Sequence, residues 1–372
     1  MAGNLVVWVE LFVTRGGYDF GVFVAAARAL QSGAHDIYSS VALAHGYAAF
    51  SGRPEAVGAL PAYLNAPLAA LLLVPLADLP PLAAQALFAA LSLGAIAGGC
   101  WILVARLRAP RLPVLLAACS VPAAIGVGLG QWDGLLLLAL TAAFWQLDRR
   151  PFLAGLLLAV LLLKPQTVWL VPFVLLVTGR WRALGGFVAG AAVWVGSDLA
   201  LLGSDWLAWP RAMLEGGTAQ MSGAGTQEVS LSSIVASAAG PGAGYGLALA
   251  AAAGLVLGAV AVRSRLTDPL AIASAVCASL LLAPHVTQGD MLLLTPAIAL
   301  VGRRRPGVAV GLAAILSVAF VPADWIRAVM PSGGPLAARP VLYVAAAVPL
   351  AATFVVAVLP TLRAPPATAA RG

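Results

Sequence analysis

Asp19 directly follows the chain's first apolar run and lies within the polar stretch 16–38, GGYDFGVFVAAARALQSGAHDIY. A carboxylate just outside a membrane helix, followed by an amphipathic stretch, suits a general base held against the bilayer surface. Lys164 is the only lysine in a chain with 20 arginines, and it stands at a Lys-Pro break between two apolar runs. A compact ammonium there can act as a point charge on a phosphate. His285, in APHVTQGD, can serve a phosphate or an acceptor group. Gln131 and Asp133 (GQWDG), Gln166 (LKPQ), Gln288, Asp290 and Tyr38 complete the set of candidates. Each also has a purely structural reading. Asp19 fits a helix N-cap, Lys164 a snorkelling side chain, and His285 a buried, hydrogen-bonded imidazole. Gln131 and Asp133 fit helix packing and capping, Asp290 a helix start, and Tyr38 and Trp132 interface aromatics.

The elements that position these residues belong to a membrane. Of 372 residues, 62% are hydrophobic and 9% charged, against about 25% charged in soluble domains. Apolar runs recur along the whole chain, many of them near the length that crosses about 30 Å of hydrocarbon. Open-edged strands are excluded in lipid, and the alternation of a membrane barrel is absent. The fold class is therefore all-α and polytopic, one integral membrane domain over residues 1–372.

The first run, residues 5–13, carries Glu10 and is too short to span; it reads as the end of a longer first helix. It lacks the basic start and small-residue cleavage site of a signal peptide. Residues 14–66 read as an outer loop. Phe20, Phe23, Val24, Ala27 and Leu30 recur there at helical spacing with Arg28 and Gln31 opposite, predicting an interfacial helix. Residues 68–79 predict a second interfacial or re-entrant helix. Spans follow at 82–105, 112–128, 132–147, 152–163, 166–177, 184–202, 244–262, 270–282, 291–301, 307–321 and 341–359. With the first helix they total about twelve. The pair flanking Lys164 is short enough to bend or dip.

Charge fixes the orientation. Arg106, Arg108 and Arg111, Arg149 and Arg150, Arg180 and Arg182, Arg263 and Arg265, Arg303 to Arg305, and Arg363 with Arg371 hold 14 of the 21 basic residues. They fall on one side only if residues 68–79 do not cross, and the positive-inside rule makes that side cytoplasmic. The long loops 14–66, 203–239 and 322–340 then face outward, and the candidate polar residues gather at one outer level. The arginines form no basic face for nucleic acid. Cys100, Cys119 and Cys277 sit in apolar segments with neither disulfide nor metal-ligand spacing. No phosphate-cradling glycine loop or zinc motif appears, so no cofactor is expected. The stretch 215–239, rich in Gly, Ser and Thr, reads either as a flexible linker or as a lid with hydroxyls for sugars.

Asp19-Phe20 with Ala-Ala-Ala-Arg-Ala-Leu, Gly33 before Tyr38, Asn65-Ala66-Pro67-Leu68 with Pro75-Leu76-Ala77, Gly130-Gln131-Trp132-Asp133, Ala154-Gly155 with Leu163-Lys164-Pro165, and Pro284-His285 before Asp290 together resemble glycosyltransferase family 87. The resemblance covers most of residues 19–300. It implies the C-type glycosyltransferase fold and a polyprenyl-phosphate sugar as donor, as in the phosphatidylinositol-mannoside mannosyltransferases. It also implies that Asp19 is the base, and that Lys164 and His285 engage donor phosphate or acceptor. The histidine segment PHVTQGD departs from the paired histidines of some mannosyltransferase members.

On this reading an acceptor hydroxyl of a lipid or glycan attacks the sugar on the outer face, Asp19 takes its proton, and Lys164 and His285 stabilise the departing phosphate. Gln131, Tyr38, Gln166 and Asp290 join them in binding donor or acceptor. One displacement inverts the anomeric carbon. The sugar expected is mannose and the location a multi-pass plasma-membrane site; the oligomeric state is not legible. A transporter or lipid flippase is the main rival, favoured by twelve helices with polar residues. No internal repeat or midplane site supports it. A non-catalytic assembly protein is the third reading.

Overall fold

The computed structural model describes residues 18–34, 36–51, 62–222, 230–261 and 268–318. The first apolar run, the span at 341–359, the loop 322–340 and the arginines at 263, 265, 363 and 371 lie outside the described residues. Every regular element among the described residues is helical.

Helices open repeatedly on proline: α3 (Pro67–Ala77), α4 (Pro81–Trp101), α8 (Pro151–Ala159), α13 (Pro241–Ala261) and α16 (Pro306–Val318). Proline lacks the N–H that a first helical residue leaves unpaired, and its fixed φ suits that position. Before them come α1 (Tyr18–Gln31) and α2 (Ser40–Ser51); between them lie α5 (Arg111–Ala118), α6 (Val121–Leu129), α7 (Asp133–Gln146), α9 (Val171–Val177), α10 (Trp181–Leu202), α11 (Ala208–Ser222), α12 (Leu231–Ala239), α14 (Asp268–Leu282) and α15 (Thr295–Gly302).

Among the described residues three helices are long and apolar enough to cross a membrane, Pro81–Arg106, Trp181–Asp205 and Pro241–Ala261. The pair α5 and α6, bent by 42°, makes a fourth if it is one span. The other apolar helices reach 10–17 residues, because turns interrupt them. Around Lys164 two 3-10 turns, Val160–Leu163 and Pro165–Thr167, separate α8 from α9, and Gly289–Leu294 is 3-10 before α15. Leu82, Leu91, Leu112, Val193 and Leu257 stand exposed. Small residues face inward instead: α4 meets α7 through Ser92 against Gly134 and Gly99 against Leu137 and Thr141. Apolar side chains outward and small residues at helix contacts are the pattern of helices packed in lipid.

The arginine-bearing ends meet one another. Arg180 donates to Asp148 at 2.8 Å. The guanidinium groups of Arg106 and Arg149 lie 5.2 and 5.5 Å from the Trp145 ring, and Gly302 abuts Pro110. Asp133, at the other end of α7, is about 20 Å away along the helix axis.

The interfacial helix expected from the amphipathic pattern is α1, and both its ends touch the side opposite the arginines. Asp19 meets Gln131, just before α7, and Arg28 donates to Asp78, just before α4, at 2.9 Å. It is buried nearly all round, from Phe20 through Ala29. Arg28 stays part-exposed and Gln31 exposed, so the polar side of the pattern remains open while α2 and α3 pack on the rest of the helix. At 11 residues, α3 is about 16 Å long and too short to span. Within 215–239, α11 runs to Ser222 and α12 spans Leu231–Ala239, on either side of residues 223–229, which lie outside the described residues. Ser230 caps α12 by accepting from the Ser233 N–H, and Thr218 of α11 pairs with Tyr245 of α13 at 3.2 Å.

Candidate active site

Asp19 is the second residue of α1 and keeps partial exposure. Its Oδ2 accepts from Gln131 Nε2 at 2.5 Å, and Oδ1 has no partner among the described residues. Gln131 reaches it because α6 ends at Gly130 in a left-handed turn, φ 74°. A Cβ at Gly130 would strike the side chain of Phe20, so only glycine lets the turn lie against the first turn of α1. The next residue, Trp132, stacks on Phe23 at 5.9 Å and meets Phe88 edge-on at 5.2 Å. Phe20 packs on Phe88 from the other side, 5.1 Å away. Three aromatic contacts thus fix where Asp19 and Gln131 meet.

Asp133 opens α7, where the helix dipole favours a carboxylate. Its Oδ1 accepts from Lys164 Nζ at 2.7 Å, and Oδ1 of Asp290 accepts from the same ammonium at 2.6 Å. All three groups are buried. The second oxygen of Asp290 accepts from the Thr287 N–H at 2.8 Å and the Thr287 hydroxyl at 3.1 Å. The second oxygen of Asp133 has no hydrogen-bond partner among the described residues and lies against Gly126 and Gly289. Lys164 leaves α8 at the break between the two 3-10 turns. Two of its three N–H donors are committed to carboxylates, leaving one for another group.

Burial pushes the Asp19 carboxyl above its ordinary value of 3.8. The Gln131 hydrogen bond and the charges of Lys164 and His285 act against that rise, and Asp290 adds to it. Asp19, Lys164, His285 and Asp290 therefore share one electrostatic neighbourhood. The segment carrying His285 is held from α12: Ser232 donates to the Leu282 carbonyl at 2.5 Å and Ser233 to the Pro284 carbonyl at 3.1 Å.

Of the residues singled out in sequence, Asp19 and Gln131 touch, and Asp133, Lys164 and Asp290 form one ionic cluster. His285 is within their electrostatic reach. Gln166 is half-buried in the 3-10 turn after Lys164 and makes no hydrogen bond among the described residues. Tyr38 stands one layer away: its hydroxyl donates to the Asn65 carbonyl at 2.9 Å, and its ring lies 5.5 Å from Tyr63, which in turn packs on Phe23. A cleft of 910 Å³ opens at the far end of α1, between Arg28, Gln31, Asp36 and His45. Asp78 already engages Arg28 and Gln31 there, so the cleft and the Asp19 cluster are separate places. Sequence reasoning passed over Thr287, Ser232, Ser233 and Asp198. Of these, only Asp198 carried a signal, as a carboxylate inside the apolar run 184–202.

A carboxylate with one oxygen unpartnered among the described residues, within electrostatic range of a cationic centre and an imidazole, can deprotonate a hydroxyl and steady a nearby anion. No cluster of metal-binding side chains occurs among the described residues. No curated protein and no solved structure matched the chain. The family model for glycosyltransferase family 87 matches residues 63–296, which include Gln131, Lys164, Gln166, His285 and Asp290 and leave Asp19 and Tyr38 upstream. This polytopic helical chain belongs to glycosyltransferase family 87.

Proposed function

We propose that the protein transfers mannose from a polyprenyl-phosphate donor to a hydroxyl of a lipid or glycan acceptor, at the outer face of the plasma membrane and with inversion. The observation that supports this most is Asp19: one oxygen is oriented by Gln131 and the other has no partner among the described residues, on the end of the bundle away from the arginines. In the reaction, the acceptor oxygen forms a bond to the anomeric carbon while its proton passes to Oδ1 of Asp19. The bond from that carbon to the phosphate oxygen breaks, and its electron pair leaves with the polyprenyl phosphate. The remaining N–H of Lys164 and the His285 ring stabilise that charge, with Gln166 and Asp290 shaping the same pocket. Burial suits the base to its task, since a raised pKa makes a carboxylate a stronger proton acceptor near neutral pH.

The lipid anchor holds the donor phosphate at headgroup level, where polar helix ends are tolerated best. About twelve spans of bilayer length, arranged as the C-type glycosyltransferase fold, complete the proposal. The test is an assay of reconstituted protein with polyprenyl-phosphate mannose and, separately, polyprenyl-phosphate arabinose, reading products by mass. A hexose gain on the acceptor with release of polyprenyl phosphate is expected. A pentose gain replaces the sugar, and no release from either donor overturns the donor class.

A further inference from the structure

One buried stripe runs along α10 from Ala183 and Phe187 through Gly190 and Trp194 to Leu202, and Asp198 breaks its apolar character. Asp198 is 3% exposed, so it faces protein rather than lipid. Its Oδ1 is buried without a partner, and no hydrogen bond reaches either oxygen among the described residues. Unpaired buried carboxylates are rare, and inside a membrane helix they mark substrate or ion paths.

Register sets the height of Asp198. Helices α8 and α10 run side by side in the same direction. Gly155 meets Ala183 and Phe187, Gly186 meets Phe152, and Gly190 meets Ala159. The Trp194 indole donates to the Ala159 carbonyl at 2.9 Å. One turn beyond Trp194 comes Asp198, where the neighbouring chain has reached Leu163 and Lys164. The carboxylate thus stands at the level of the ionic cluster. It lies within electrostatic range of the hydroxyls of both Tyr38 and Tyr63. Tyr63 packs on Phe23, one turn past Asp19.

We infer that Asp198 binds the acceptor: its two carboxylate oxygens take hydrogen bonds from neighbouring hydroxyls of a glycan or polyol headgroup, beside the Tyr38 ring. This rests on the glycosyltransferase reading and adds to it a residue that holds the acceptor apart from the donor. A pair of hydroxyls satisfies both oxygens at once, which no group among the described residues does. The site explains why the stripe keeps a carboxylate where leucine would pack.

The test uses the full chain in nanodiscs, polyprenyl-phosphate mannose as donor and octyl α-mannoside as acceptor probe, comparing wild type with Asp198→Asn and Asp198→Leu. In Asp198→Leu the acceptor KM rises about tenfold or more, the scale of losing a hydrogen bond to a charged group, and the donor KM stays within twofold. The thermal midpoint holds or rises, because an unpaired buried carboxylate is gone. Asp198→Asn lies between. An unchanged acceptor KM overturns the inference. So does a fall in thermal midpoint with both KM values rising together, which marks a structural residue. If the wild type releases no polyprenyl phosphate, the proposed reaction fails on its own. Direct binding of octyl α-mannoside then decides for Asp198: about tenfold weaker binding by Asp198→Leu upholds the site and equal binding removes it.

Discussion

Asp19 and Gln131 are 112 positions apart in sequence and touch through a single hydrogen bond. That bond favours the ionised carboxylate, so Gln131→Leu should raise the Asp19 pKa further above 3.8. A base works only when ionised, so the acid limb of kcat/KM against pH should move to higher pH in that variant. An unmoved limb would break the link between the two residues. Lys164 makes a different demand. Its removal as Lys164→Met leaves Asp133 and Asp290 facing each other in a buried site, and losing one partner of a buried ion pair costs about 3–5 kcal/mol. The thermal midpoint should fall steeply, and Asp133→Asn in the same background should restore part of it. A midpoint equal to wild type would show that the ammonium does not hold the cluster. The residue types were legible in sequence; their pairing was not. Asp133 and Asp290 lie 31 and 126 positions from Lys164, and a search for a phosphate-binding lysine does not see the carboxylates already on it.

Elements were read unevenly for identifiable reasons. Helix α1 followed from its apolar spacing, and Arg28 and Gln31 do keep exposure, but spacing cannot say that α2 and α3 pack on the rest of it. The stretch before α13 looked like linker because Gly, Ser and Thr dominate it. Its serines turn out to cap and clasp: Ser230 closes the start of α12, and Ser232 and Ser233 grip the carbonyls before His285. Each such hydrogen bond is worth about 1 kcal/mol, so Ser232→Ala with Ser233→Ala should cost stability modestly. If the clasp positions His285, turnover should fall by more than the loss of folded protein, with Thr at both positions restoring it. Turnover that tracks folded protein alone would make the serines structural. The long helix α4 was visible as an unbroken run, whereas α8 and α9 were blurred by the turns at Lys164.

Across the whole molecule, one-sidedness is the strongest regularity. Among the described residues only three helices reach full spanning length, and several of the other apolar runs are cut short by 3-10 turns. Charge was a better guide than run length. The arginine loops at 106, 149 and 180 do assemble at one end, through Trp145 and Asp148, and the candidate residues gather at the other. The proposed orientation predicts labelling by an impermeant thiol reagent on intact cells. In a Cys119→Ser background, where the other two cysteines are buried, Ser40→Cys should react from outside and Arg150→Cys only after permeabilisation. The reverse pattern would invert the topology.

Asp19→Asn carries the most direct test, because it keeps the side chain's shape while removing its ability to take a proton. With polyprenyl-phosphate mannose as donor, release of polyprenyl phosphate should fall at least about a hundredfold, the usual contribution of a general base, while the thermal midpoint stays near wild type. Turnover within a few-fold of wild type would contradict the assignment of Asp19 as the base.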